Sequence, residues 1–171
     1  PANDVLWNNT YSISKSLQDV IERKKEDNDN LYQMARIWKV ILFQRLTDAY
    51  GDVPYSEASL AFYNQIFRPK YDPQELIYKD MLETLKDAVA NLNAGSDNFA
   101  KFDIVYKGDI AKWKKLGNSL MLRLGMRLTK VNIGEAETWV KNAINGSGGL
   151  MDSNSDNLVL RGTDPGGTNG S

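Results

Sequence analysis

Residues 31–55 read LYQMARIWKVILFQRLTDAYGDVPY, a long apolar helix pattern that stops at an aromatic–Gly–acid–Pro turn. Leu31, Met34, Ala35, Trp38, Ile41, Leu42, Leu46 and Ala49 trace one stripe at helical spacing. Ile37, Val40 and Phe43 lie off that stripe, so a second surface also asks to be buried. A helix that is apolar around much of its circumference belongs inside a stack of helices, not at an edge. The stretch therefore predicts an all-α, helical-repeat scaffold, an architecture usually used for binding.

Working outward, a first helix is predicted from about Asp4 to Lys25, with Leu6, Ile13, Leu17, Val20 and Ile21 inward and a solvated charged run to Asn30 behind it. Beyond the turn, Asp72 reads as an N-cap, Pro73 as the first helical residue and Glu75 as the capping-box partner. Tyr78, Met81, Leu82, Leu85, Ala88, Val89 and Leu92 then form a clean stripe, with Gly95 as the stop. A helix from about Asp109 to Lys130 turns Trp113, Leu116, Gly117, Leu120 and Leu124 inward, and Gly117 permits close approach of a neighbour. A last helix, about Glu135 to Asn145, buries Ala136, Trp139, Val140, Ala143 and Ile144. The run 157–160 reads as a short strand. The helices before and after the 51–71 loop, and the last two, are expected as antiparallel pairs. Trp113-x-x-Leu116-Gly117 matches the opening of a tetratricopeptide repeat, although the downstream positions fit a regular repeat poorly.

With 171 residues the chain suits one domain, and 42% apolar with 25% charged residues is ordinary for a globular protein. A net charge of −1 argues against a general nucleic-acid binder, which needs a cationic excess. Histidine and cysteine are both absent, which removes Ser-His-Asp and Cys-His catalysis, imidazole or thiolate metal sites and disulfides. No apolar run approaches the roughly 20 residues of a membrane helix. The first residues, Pro1-Ala2-Asn3-Asp4, resemble no signal peptide and read like the inside of a longer protein, and the Gly-rich end from Arg161 reads as a tail. The expected organisation is a helical scaffold over 1–150 and an irregular segment over 151–171 leading into further polypeptide.

A loop of about twenty residues, 51–71, is long enough to expect a function of its own. It carries Tyr55, Phe62, Tyr63, Phe67 and Tyr71 interleaved with Asn64, Gln65 and Arg68. Flat rings beside amide and guanidinium donors suit sugars, which offer an apolar CH face and hydroxyl edges. The same rings would also serve to pin the loop onto the helices, and both readings stand. Tyr55, Tyr63, Asn64, Phe67 and Arg68 are the candidate ligand contacts. The basic stripe Lys112, Lys115, Arg123, Arg127 and Lys130 reads as an ordinary wet face before an acidic docking surface. Asp103 and Asp109 read as residues that orient the following helix. Asp152-Ser153-Asn154-Ser155-Asp156-Asn157 opens like a calcium loop but lacks its glycine, and Thr163 stands where the bidentate Glu belongs, so a turn is expected rather than a metal site.

Several blocks then act together. They are Leu6-Trp7 through Ile21, Ala35 to Leu46 with Asp48-Ala49-Tyr50-Gly51-Asp52-Val53-Pro54-Tyr55, and Pro69-Lys70-Tyr71-Asp72 into Ile77-Tyr78. Asp103 to Tyr106 with Gly108-Asp109, Lys112-Trp113 through Leu124, and Ser153-Asn154-Ser155-Asp156-Asn157 complete the set. In this order and spacing the chain resembles the SusD-like outer-membrane lipoproteins of the Bacteroidota, in the branch named for starch-binding proteins associating with the outer membrane. The resemblance implies a tetratricopeptide-like scaffold, lipid-anchored at the cell surface, that captures glycans or other nutrients. It implies delivery of the ligand to a SusC-type TonB-dependent transporter without chemistry or cofactor. The lipobox cysteine is absent, so the anchor is expected outside this stretch, as are segments that normally complete the ligand site. A helical-repeat adaptor for a protein partner is the alternative, and a glycan hydrolase fragment a weaker one, since no spacing singles out a pair of carboxylates.

Overall fold

The computed structural model describes residues 2–160, with side chains from residue 4 onward. The Gly-rich tail and Thr163 lie outside the described residues. Six α-helices follow one another: α1 (Ala2–Lys24), α2 (Asn30–Tyr50), α3 (Ala61–Asn64), α4 (Gln74–Asn91), α5 (Ile110–Arg127) and α6 (Ile133–Asn145), with short 3-10 turns at Leu128–Lys130 and Asn154–Asp156. No helix among the described residues is long and apolar enough to cross a membrane.

The long helices stack in chain order, each antiparallel to the one before. Trp7 meets Tyr50 while Lys39 reaches Gln18, which runs α1 against α2. Tyr78 bonds Asp48 at one end of α2 and Asn30 bonds the Asn93 carbonyl at the other, which fixes α4. Tyr78 and Arg127 meet where α4 begins and α5 ends, while Val89 lies against Gly117. Gly125 sits against Trp139 and Asn118 against Gly146, setting α6 on α5. The two expected antiparallel pairs are present, joined into one array by the packing of α4 on α5 and extended by α1.

Within that array α2 touches α1, α4 and α5, which is why it is apolar almost all round. Its innermost positions are the off-stripe residues Ile37, Val40 and Phe43 together with Leu46, all fully buried. Burial of each such side chain contributes about 1.5–3 kcal/mol. The expected stripe is the shallower one: Leu31, Trp38, Ile41 and Leu42 are half-buried and Ala49 is exposed. Polar residues share the deep face, because Gln33, Gln44 and Thr47 find partners in Asn28, Asp48 and the Gly51 carbonyl. Asn30, expected in a wet loop, is buried and ties α2 to the 93–97 turn through both its amide groups.

The inward face of α1 also differs from its apolar expectation. Its buried residues are Thr10, Ser14 and Gln18, one turn apart, and Ile13 is exposed. The stripes of α4 and α5 are buried as expected, and a Cβ on Gly117 would collide with Val89. In α6, Ala136, Trp139 and Ala143 are buried but Ile144 is exposed. Residues 157–160 form no strand, since no other segment among the described residues offers them a ladder of hydrogen bonds.

A candidate ligand-binding face on the 51–71 loop

Helix α2 ends because Gly51 adopts φ +75°, a conformation glycine takes freely, while its N–H still bonds the Thr47 carbonyl at 2.8 Å. The chain then turns back so that Val53 and Asp72 form an antiparallel bridge, with Asp72 N–H donating to the Val53 carbonyl at 3.0 Å. The long loop is thereby closed at its base.

Asp72 does not cap α4, contrary to the sequence expectation. Its carboxylate accepts the backbone N–H groups of Tyr55 (3.1 Å) and Ser56 (2.7 Å) and the Ser56 hydroxyl (2.9 Å). The cap is supplied by Asp52, which accepts the N–H of Gln74 at 2.9 Å, because the bridge holds that carboxylate at the helix start. Burial pushes the Asp72 carboxyl up, but the donors from Ser56 and Tyr55 outweigh it and leave it below its ordinary value.

The candidate contacts separate by environment. Tyr55 is only 4% exposed; its ring meets Phe43 edge-on at 5.0 Å and its hydroxyl donates to Asp80 at 2.5 Å. Its remaining surface borders a polar cavity of about 380 Å³ shared with Lys39, Ser56, Lys70, Asp72 and Asp80. Tyr63 is half-buried and donates its hydroxyl to Asp19 of α1. Asn64, Phe67 and Arg68 are exposed, and Phe62 and Phe67 are the most open rings of the loop, at 84% and 79%. Packing and display are thus divided along the loop, with Tyr55 in the core and Asn64, Phe67 and Arg68 in solvent.

Helix α1 fastens this segment along its length. The Tyr11 hydroxyl donates to the Pro54 carbonyl (2.8 Å), the Ser14 and Ser59 hydroxyls bond at 2.7 Å, and Asp19 holds Tyr63. Trp7 stacks on Tyr71 with ring centroids 6.3 Å apart. Of these anchors only Ser14 belongs to the polar buried face of α1, which periodicity of apolar residues passes over.

Most of the other charged residues singled out in the sequence are tied up internally. Asp103 accepts the Trp113 indole N–H (2.8 Å) and the N–H groups of Val105, Tyr106 and Gly108, while Asp109 caps α5 through the Lys112 N–H. In the calcium-like segment the Lys115 ammonium bridges Asp152 (2.8 Å) and Asp156 (2.9 Å), and its hydrogen bond is the main cause that lowers the Asp156 carboxyl to about 2. Lys112 bonds the Ser155 carbonyl and Arg127 pairs with Asp48, so three cations of the basic stripe serve the fold. Among the described residues, no group of three or more acids is placed to hold a metal ion.

The family model described as "Starch-binding associating with outer membrane" matches residues 1–169. Among solved structures, one titled a chitin-binding protein is 42% identical with a TM-score of 0.82, over 91% of this chain and 33% of its own. A chitin-binding SusD homolog from Flavobacterium johnsoniae is 32% identical with a TM-score of 0.81, over 89% of this chain and 32% of its own. A SusD homolog from Parabacteroides distasonis is 28% identical with a TM-score of 0.80, over 96% of this chain and 32% of its own. No curated protein matches. The chain spans about a third of the length of these structures. The family match over nearly the whole chain and the similarity to these structures agree: the chain belongs to the SusD-like family described as starch-binding and associating with the outer membrane.

Proposed function

We propose that this protein binds a glycan through the exposed part of the 51–71 loop and passes it to a SusC-type TonB-dependent transporter at the cell surface. The carrying observation is a run of open aromatic, amide and guanidinium side chains, Phe62 to Arg68, on a loop pinned at its base and along α1. Pinning matters because a preordered face loses less conformational entropy on binding. Tyr63, Asn64, Phe67 and Arg68 are the proposed contacts, and Tyr55 supports them from the core. Chitin oligosaccharides are the first ligands to test, given the two chitin-binding relatives at 42% and 32% identity. A lipid anchor carried outside residues 1–171 would hold the protein at the outer membrane.

A binder rather than a catalyst is supported by what the acids do. Histidine and cysteine are absent from the sequence, and Asp72, Asp103 and Asp156 are committed to hydrogen bonds within the fold. The adaptor reading has one observation in its favour, an apolar-floored groove of about 450 Å³ between α4 and the start of α6, beside the exposed Val131.

Calorimetric titration with N-acetylchitohexaose and maltohexaose tests the reading. Binding by one of them that falls at least tenfold in Phe67→Ala is expected. Binding that Tyr63→Ala and Phe67→Ala both leave intact would remove the loop from the site.

A further inference from the structure

Helix α2 carries a cation that the glycan-binding reading does not use. Lys39 borders the polar cavity of about 380 Å³ behind the Asp72 clasp, together with Tyr55, Ser56, Asp72 and Asp80. Its ammonium donates to the neutral Gln18 Oε1 at 3.1 Å and sits 5.1 Å from the centre of the Tyr55 ring, and among the described residues it makes no ion pair. The acids around it are engaged elsewhere. Glu22 of α1 accepts from Gln18 and Lys25, Asp72 accepts from Tyr55 and Ser56, and Asp80 of α4 accepts the Tyr55 hydroxyl. The Tyr55 ring and the charges of Asp80, Glu22 and Asp72 favour the protonated amine, while Arg36 opposes it. Burial is the largest effect and holds the Lys39 amine below its ordinary value.

A lysine amine held against a cavity without an ion pair is a nucleophile toward a carbonyl carbon. We propose that Lys39 is a carbonyl-capture site, which takes small hydroxyaldehydes from solvent as an imine. The nitrogen lone pair of the neutral amine bonds to the aldehyde carbon, and one N–H proton passes to the carbonyl oxygen to give a carbinolamine. The hydroxyl then leaves as water with the second N–H proton, and the C=N bond forms. No oxidant or reductant is consumed. When the imine takes up a proton, the carboxylate of Asp80 compensates the cation, as it does for the free ammonium. Hydroxyls carried by the aldehyde find Ser56 and Lys70, both exposed at the cavity rim. The capture site is separate from the exposed run 62–68 and does not depend on glycan binding there.

Incubation of the protein with glycolaldehyde and cyanoborohydride near pH 7, followed by peptide mass spectrometry, tests it. Cyanoborohydride reduces each imine to a stable secondary amine, so every lysine reports its own rate of capture. Lys39 is expected to be modified at least about fivefold faster than the exposed Lys101, and to saturate with aldehyde concentration where Lys101 rises in proportion. Trace acetylation with acetic anhydride reads the same amine without an imine. The Lys39-to-Lys101 ratio should be highest near neutrality and fall severalfold by about pH 11, where both amines are neutral and burial slows Lys39. Lys39→Arg keeps the charge and removes the amine, and should abolish the saturable uptake with Tm unchanged. The two wild-type readings decide the matter without any variant. Modification of Lys39 no faster than Lys101 near pH 7, or an acetylation ratio that stays flat with pH, would overturn the proposal and leave glycan binding untouched.

Discussion

The carboxylate of Asp72 accepts the backbone N–H of Ser56 at 2.7 Å, across sixteen residues of chain, and so closes the 51–71 loop on itself. With the Tyr55 N–H and the Ser56 hydroxyl it forms a three-donor clasp at a residue only 7% exposed.

Asp72→Ala is expected to lower stability by about 3 kcal/mol, because the buried Tyr55 N–H, the part-buried Ser56 N–H and the Ser56 hydroxyl all lose their acceptor. For a domain of this size that is a fall in Tm of roughly 6–12 °C, read by calorimetry. Asp72→Asn keeps one acceptor oxygen and should lose about half as much.

Gly117→Ala on α5 should destabilise by about 1–3 kcal/mol, since its new Cβ meets Val89 of α4. Val89→Ala in the same chain is expected to restore part of the loss. A pair of losses that simply add in urea unfolding would show that α4 and α5 are not in close contact there.

Acid sensitivity should trace to Asp103. Burial raises its carboxyl, but the Trp113 indole and the Gly108, Tyr106 and Val105 N–H groups hold it below the ordinary value. A lowered native pKa contributes stability above the unfolded value of about 3.9, and that contribution drains away as pH falls through the native value. Wild type should therefore exceed Asp103→Asn by about 2 kcal/mol at pH 7, with the gap closing as pH falls below about 4. Thermal unfolding across that range checks it; a constant gap would exclude the carboxylate as the cause.

Tyr55→Phe removes only the hydroxyl that donates to Asp80. It is expected to cost about 1 kcal/mol of stability and to leave glycan affinity within twofold. A large loss of affinity would return Tyr55 to the contact surface.

The buried stripes of α4 and α5 and the antiparallel stacking were readable because large apolar residues at helical spacing have few other solutions. What escaped is polar. Asp72 carries every mark of an N-cap, yet the Val53–Asp72 bridge, a contact nineteen residues apart, diverts it and hands the cap to Asp52. Thr10, Ser14 and Gln18 form the buried face of α1 without any apolar signal. The loop's aromatics were readable as a group, but their division into core and surface was not. Tyr55 goes inward because Phe43 and Asp80 receive its ring and hydroxyl, and Phe67 stays out because nothing does.

The central claim is that the open run from Phe62 to Arg68 touches the glycan. Backbone amide chemical-shift mapping during titration with N-acetylchitohexaose tests it most directly. Shifts concentrated at residues 62–68, spreading to Tyr71 and to Asp19 and Trp7 behind them, are expected. Saturable shifts that leave 62–68 unmoved and cluster elsewhere on the helices would contradict it.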